Sequence, residues 1–361
     1  MARNLATWGN RLHSGEKTYP IVAQRKRWFA VSGALMLISV LLLVFKGLNP
    51  GIDFTGGTQF VIPDVADTSA APAEQAAAEV VPDQIPRVTV LGDNDVRVQL
   101  GVMEQDEQRE MVAALSESYD VPEDQISYDQ IGPTWGAAVG QQAVQGLIVF
   151  LLLVFGVIAL YFRAWRMAAA AIIALLHDLV FTVGIYALSG FEVTPATVIG
   201  FLTILGYSLY DTVVVFDKVK ENTANLFSQT RYTYAELANL GINQTLVRSI
   251  NTSVVALLPV ASILFIGALV LGAGTLMDIS LALFVGMAVG TFSSVFVATP
   301  LEVTLRSSEK AIAEHTAKVL ALRESGGADV VVNEDGSVRV GALQPGHHQG
   351  VGSQPKRKGR R

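Results

Sequence analysis

The sequence predicts a polytopic α-helical membrane protein with six transmembrane helices and a small α+β extracytoplasmic domain between the first and the second. Three observations carry this. The 361 residues are 51% hydrophobic and only 16% charged, with a mean hydropathy of +0.41, against roughly 25% charged residues in an ordinary soluble domain. Six stretches reach the ~20 apolar residues that a ~30 Å hydrocarbon core requires. Between the first two lies a long segment of alternating polarity that no membrane span would carry.

The predicted spans are Phe29–Leu48, Ala143–Phe162, Met167–Leu188, Ala196–Val219, Thr252–Leu271 and Asp278–Leu301. The first follows a polar leader, Met1–Trp28, and lacks an A-x-A cleavage site, so it is expected to stay as a helix rather than be removed as a signal peptide. Lysine and arginine in the short loops set the orientation. The leader carries Arg3, Arg11, Lys17, Arg25, Lys26 and Arg27, the 2/3 turn Arg163 and Arg166, and the 4/5 loop Lys218, Lys220, Arg231 and Arg248. The 3/4 and 5/6 turns carry none. Both termini are therefore expected in the cytoplasm of a cell whose plasma membrane the chain crosses.

Residues 49–142 then fall outside, with 17 Asp and Glu against Arg87, Arg97 and Arg109. Alternation over 57–62, 87–91 and 95–100 predicts strands, Glu104–Tyr119 an amphipathic helix, and 125–128 a further strand. Pro63–Pro86 reads either as a helix with a Pro-flanked loop or as a disordered segment. Past the sixth span, 306–324 can continue as a polar helix and the rest of the tail, to 361, is expected to be mostly disordered. Its polybasic end, Lys356, Arg357, Lys358, Arg360 and Arg361, suits anionic lipid headgroups, or simply solubilises the tail.

The composition excludes several functions. No cysteine means no disulfide, thiolate nucleophile or cysteine-ligated metal. A net charge of -6 argues against nucleic acid. No Walker A pattern and no H-E-x-x-H occur, so neither ATP hydrolysis nor a zinc protease is supported, and no metal or cofactor is expected. An intramembrane aspartyl protease would need a second Asp in a Gly-x-Gly-Asp context, which is missing. The chain is not read as an enzyme.

The informative residues are the ionisable ones within spans, which cost ~2.5 to 3.5 kcal/mol each even on lenient scales and face a bundle interior or a water path. On the fourth span, Gly200, Thr203, Tyr207 and Asp211 share one helical face, a polar stripe ending in a carboxyl. Asp211 is a candidate proton carrier, against a structural buried carboxylate. Its candidate cation is Arg248, which cannot deprotonate. Counting ~1.5 Å per residue from the outer ends places Asp211 ~22 Å deep and Arg248 ~34 Å, so a direct pair and a snorkelling positive-inside arginine both stay open. His177 and Asp178 lie near the middle of the third span, as a proton relay or as a packing hydrogen bond. Gly286 and Gly290 mark a small-xxx-small seam, Pro259 a kink in the fifth span, and Asp278 a cap on the sixth.

Two stretches resemble the SecD/SecF family of bacterial protein-export proteins, within the resistance-nodulation-division superfamily. Gly51-Ile52-Asp53-Phe54-Thr55-Gly56-Gly57 is similar to the family's Gly-x-Asp-Phe-x-Gly-Gly motif, and 206–222 followed by 243–253 resembles the helix 4 to 5 signature of its SecF branch. The resemblance runs from about Trp28 to Glu302 and leaves out 63–86 and the tail after Arg306. It implies a subunit that pairs with SecD, works beside the SecYEG channel and, indirectly, the SecA motor, and uses the proton-motive force to promote late steps in export of a translocating polypeptide. Protons would be the coupling ion. It further implies that Asp211 and Arg248 match the intramembrane pair linked to proton conduction, and that the Gly56-Gly57 turn starts the outer domain; the short Gly-rich junction Gly51–Thr58, with Asp53, is separately expected to act as a hinge that passes movement of the first span into the sheet. Tyr210 departs from the pattern, which has Asn before the Asp. The alternative is a half-size superfamily transporter for lipids or drugs.

Overall fold

The computed structural model describes residues 2–92, 94–268 and 274–326, together with 330, 338 and 340. Chain order begins with α1 (Ala2–His13), α2 (Arg25–Phe45), β1 (Asn49–Pro50) and α3 (Ile52–Thr55). The outer domain follows as β2 (Gly57–Ile62), α4 (Ala71–Val80), β3 (Arg87–Leu91), β4 (Asp95–Leu100), α5 (Gln105–Tyr119) and β5 (Ser127–Ile131). Next come α6 (Pro133–Phe162), α7 (Trp165–Ser189), β6 (Glu192–Val193), α8 (Pro195–Thr223), α9 (Tyr234–Ser262) and α10 (Gly274–Ser293). The chain continues with α11 (Thr299–Ser307) and α12 (Lys310–Glu324). Among the described residues, six helical stretches are long and apolar enough to cross a membrane: Arg25–Phe45, Pro133–Phe162, Trp165–Ser189, Pro195–Ser228, Tyr234–Gly267 and Met277–Ser307.

In the outer domain the four strands form an antiparallel sheet in the order β3-β4-β2-β5. Pairing of Phe60 with Val98 and of Ile62 with Val96 puts these alternating apolar residues on one face. That face packs against Ala73, Ala76 and Ala77 of α4 and Met111 and Leu115 of α5, all fully buried. A reciprocal cap, Glu104 N–H to the Glu107 carboxylate at 2.7 Å, starts α5. Within 63–86 the helix reading is the one observed, as α4 with Pro72 in its first turn.

Three boundaries differ from the sequence expectation. The second span starts at Pro133 rather than Ala143, because Gly132 and Pro133 supply the helix start directly after β5. The outer domain thus ends near Ile131 instead of Gln142. Residues 220–251, expected as a cytoplasmic loop, are the end of α8, a short turn and the first half of α9. Thr233 caps α9 reciprocally with Glu236, and Tyr234, Ala238 and Ile242 bury one face in a cluster with Leu12, Ile21, Val22 and Val219. The polar leader packs on α9 as well: Tyr19 N–H donates to Asn243 at 2.7 Å and the Gln244 amide donates to His13 O at 3.1 Å. The polybasic stretch Lys356, Arg357, Lys358, Arg360 and Arg361 lies outside the described residues.

The membrane bundle is centred on α8, which packs on α7, α9 and α10, while α2 and α6 lie against α7. Glycines set the closest approach: a Cβ on Gly286 would stand 2.2 Å from Ile204, and one on Gly290 2.9 Å from the Ser208 Cβ. Pro259 lies inside α9, and a π-helical turn, Ile263–Ala268, follows it; a second, Ser294–Ala298, joins α10 to α11.

Candidate functional site

Helices α7, α8, α9 and α10, with the π turn after α10, surround two buried carboxylates. Asp211 is 7% exposed. Ser249 of α9 donates to its Oδ1 at 2.7 Å, and Ser294, the first residue of the π turn, donates to its Oδ2 at 2.5 Å. Asp178 of α7 is fully buried. Its Oδ2 accepts from Ser208 of α8 at 2.5 Å and from Ser293 at 2.7 Å, and its Oδ1 lies 3.1 Å from His177 Nδ1. The other ring nitrogen of His177, Nε2, is buried and has no hydrogen-bond partner among the described residues, and the ring stacks on Phe181.

The chemistry of this cage follows from its donors. A carboxylate needs donors, and a protonated carboxyl needs an acceptor as well. Serine hydroxyls rotate and serve as both, so the two serines at each acid satisfy either of its protonation states. A guanidinium would hold only the charged form.

Arg248 does not pair with Asp211. Its Nη2 donates to Tyr210 Oη at 3.2 Å, and both side chains lie on the exposed face of α8 and α9, with Tyr210 55% exposed. The reason is angular: Tyr210 and Asp211 point about 100° apart on α8, and Arg248 and Ser249 likewise on α9, so the inner residue of each pair meets the inner one. The polar stripe is displaced in the same sense. Thr203 is exposed and bonds back to Ile199 O at 2.7 Å, and Tyr207 is half-buried. The face of α8 turned inward carries Gly200, Ile204, Ser208 and Asp211 instead.

His177 and Asp178 are brought together with Asp211's helix through Ser208, which the sequence reading missed along with Ser249, Ser293 and Ser294. Glu302 was missed too, one residue past the expected end of the sixth span. It is fully buried, accepts from Tyr234 Oη, and lies 3.8 Å from Arg306 Nη1. Asp278, expected as a cap, lies within α10 and accepts from Thr194 Oγ1 at 3.2 Å, because α10 begins at Gly274.

In the junction motif, Asp53 sits in the short α3 and its carboxyl is pushed up from its ordinary value, first by burial and then by the Glu192 charge. Gly56 and Gly57 have φ of 76° and 148°, where side chains are strained. A Cβ on Gly56 would stand 2.9 Å from the Pro133 backbone and one on Gly57 2.4 Å from Leu100 O. The pair lets the chain pass between the start of α6 and β4. Among the described residues no group of three or more His, Cys, Asp or Glu is placed to hold a metal ion.

A small sheet domain on a six-helix bundle with acids caged inside defines a class: a polytopic membrane protein built around intramembrane carboxylates. Comparison with known proteins gives the family. Residues 111–308 match the family described as protein export membrane protein SecD/SecF, C-terminal, and residues 41–63 match the SecD/SecF GG motif. The protein translocase subunit SecF of Streptomyces coelicolor is 50% identical over 325 residues, covering 90% of this chain and 86% of that protein. That of Mycobacterium tuberculosis (strain H37Rv) is 42% identical over 327 residues, covering 88% and 74%. The crystal structure of SecDF, a translocon-associated membrane protein from Thermus thermophilus, superposes with a TM-score of 0.70 at 30% identity, covering 80% of this chain and 39% of that one. The chain belongs to the SecD/SecF family of protein-export membrane proteins, on its SecF branch. Its role is the family's accessory, non-catalytic one in protein export.

Proposed function

We propose that this chain pairs with SecD in the plasma membrane, beside the SecYEG channel and indirectly the SecA motor, and couples the proton-motive force to late steps of polypeptide export. The observation that carries the reading is the serine cage of Asp211. An intramembrane acid held by Ser249 and Ser294, with no cation bonded to it among the described residues, can gain and lose a proton without losing its partners. One proton crossing 100 mV releases about 2.3 kcal/mol, enough to bias a two-state outer domain without ATP. Protons are the coupling ion, and His177 and Asp178, held by the separate pair Ser208 and Ser293, form a second station.

The positive-inside distribution supports cytoplasmic termini and an extracytoplasmic sheet domain. The face of α8 and α9 that carries Ile199, Tyr210, Val254, Val255 and Leu258 is largely exposed in this chain alone, and it also presents Arg248. A second helical bundle would cover it, which suits SecD. The polybasic residues at 356–361 would add attraction to anionic lipid.

The test is export of a secreted reporter with Asp211→Asn, at wild-type abundance and with the complex assembled, with and without the proton-motive force. Loss of the force-dependent part supports the reading. Normal stimulation removes it, and the coupling would then lie with His177 and Asp178 or outside this chain.

A further inference from the structure

The outer domain meets the helix that carries Asp211 at one buried polar seam. α8 starts two residues after β6, and β6 runs parallel to β1, with Asn49 opposite Glu192 and Pro50 opposite Val193. Gly51 N–H extends the pairing, donating to Val193 O at 2.9 Å. Onto this seam the sheet of the outer domain sends two side chains from β4. Arg97 Nη1 reaches Glu192 Oε2 at 3.2 Å, and Gln99 Nε2 donates to Glu192 Oε1 at 2.8 Å and to Gln59 Oε1 on β2 at 3.1 Å. Both oxygens of one carboxylate are thus taken by one strand.

Four further observations say that the contact is built rather than incidental. The Arg97 and Glu192 side chains are each only 11% exposed, so the pair is shielded from water and salt. Gly51 has no side chain where a Cβ would stand 2.6 Å from Glu192 Oε1. Thr194, two residues on, caps α8 and donates to Asp278 of α10 at 3.2 Å, so the same corner also grips the helix that leads into Ser293 and Ser294. A cavity of about 510 Å³ beside it is lined by four carboxylates, Asp53, Asp129, Glu192 and Asp278, and, among the described residues, by Arg97 as its one cation.

Glu192 is three residues ahead of Pro195, where α8 begins, and Asp211 lies about 24 Å further along that helix at 1.5 Å per residue. An uninterrupted helix transmits an axial or tilting shift over this length with little loss. We infer that Arg97 and Glu192 are positioning residues, a strut through which a displacement of α8 is delivered to the sheet of the outer domain. This rests on the proton-coupled reading of Asp211 above.

The experiment measures export with and without the proton-motive force for Arg97→Glu, Glu192→Arg and the double exchange, each checked for abundance and co-purification of the complex. The expected result is that each single variant assembles, keeps force-independent export and loses the force-dependent increment, and that the exchange restores it. A pair that only stabilises the fold would lower assembly and both components together, and that result overturns the inference. So does full stimulation in the single variants, or a loss that the exchange fails to restore. Should the charge reversals fail to accumulate, Arg97→Gln, which keeps a polar side chain without the charge, is expected to show the same selective loss, and full stimulation there overturns the strut. Asp211→Asn measured alongside separates the two readings. If it leaves stimulation intact, proton coupling through Asp211 falls; if it abolishes stimulation while the Arg97 and Glu192 variants keep it, only the strut falls.

Discussion

Ser293 and Ser294 are neighbours in the chain, yet their hydroxyls serve different acids, Ser293 reaching Asp178 on α7 and Ser294 reaching Asp211 on α8. Successive helical residues point about 100° apart, and this end of α10 runs between the two carboxyl-bearing helices, so one peptide step addresses both. The π turn begins at Ser294, and such turns are frequent at functional positions. One backbone segment thus touches both acids.

Alanine at each serine should separate the two acids. Either substitution removes a hydrogen bond to a charged or chargeable group, worth roughly 1.5 to 3 kcal/mol. Ser293→Ala leaves Asp178 with Ser208 and His177, and is expected to lower the melting temperature while force-stimulated export persists. Ser294→Ala leaves Asp211 with Ser249 alone, and is expected to reduce that stimulation. Melting of the purified protein and the export assay, read together, decide it. Equal effects of the two variants would show that the acids act as one unit.

Tyr210→Phe tests which face of α8 the partner covers. The phenol is more than half exposed and bonds Arg248 at 3.2 Å, and a hydrogen bond in water contributes about 1 kcal/mol or less. The isolated chain should melt within that margin of wild type. In the assembled complex the same arginine would be covered and left short of an acceptor, so recovery of the partner on co-purification should fall. Unchanged recovery would place the partner on another face.

What the sequence made legible was set by hydropathy, and what it hid was set by angles. The six spans stand out because apolar runs of that length have no other use. The first half of α9 does not, since Glu236, Asn239, Asn243, Gln244 and Arg248 depress its hydropathy while Tyr234, Ala238 and Ile242 still bury one face. Asp211 and Asp178 were visible as charges that should not lie in a span. Their partners were not, because serine is cheap in a membrane helix and nothing marks Ser208, Ser249, Ser293 or Ser294 among the others. Periodicity told which residues of α8 share a face, but not which face turns inward, so Thr203 and Tyr207 were placed on the interior when Ile204 and Ser208 occupy it. Of the two readings left open for Arg248, the direct pair with Asp211 is missed for the same reason, by one residue on each helix.

Helix spacing along α8 and α10 yields a stability prediction. Gly286 faces Ile204, 2% exposed, at a separation where an added Cβ would stand 2.2 to 2.6 Å from three of its side-chain carbons. Ile204 has no free space to turn into, so Gly286→Ala should cost about 1 to 3 kcal/mol by overpacking. Combining it with Ile204→Ala should recover part of that loss in a melting experiment. No recovery would mean that the backbones, and not the side chain, set the distance.

The acidic seam predicts an unusual pH dependence for one carboxyl. Burial first, and the Glu192 charge second, hold the Asp53 carboxyl above its ordinary value of 3.8, with Arg97 pulling the other way. In the folded protein it therefore keeps its proton to a higher pH than in the unfolded chain. Between the two values the native state binds more protons, so stability from this group falls as pH rises through that window and stays lowered above it. At pH values below 3.8 both states are protonated and the group contributes nothing. Asp53→Asn removes the ionisation altogether. Melting temperatures of wild type and variant should thus coincide at the acidic end and separate in favour of the variant as pH rises to neutrality. If the wild type instead gains on the variant towards neutral pH, the charged form of Asp53 is the one the seam binds, and Arg97 outweighs both burial and Glu192.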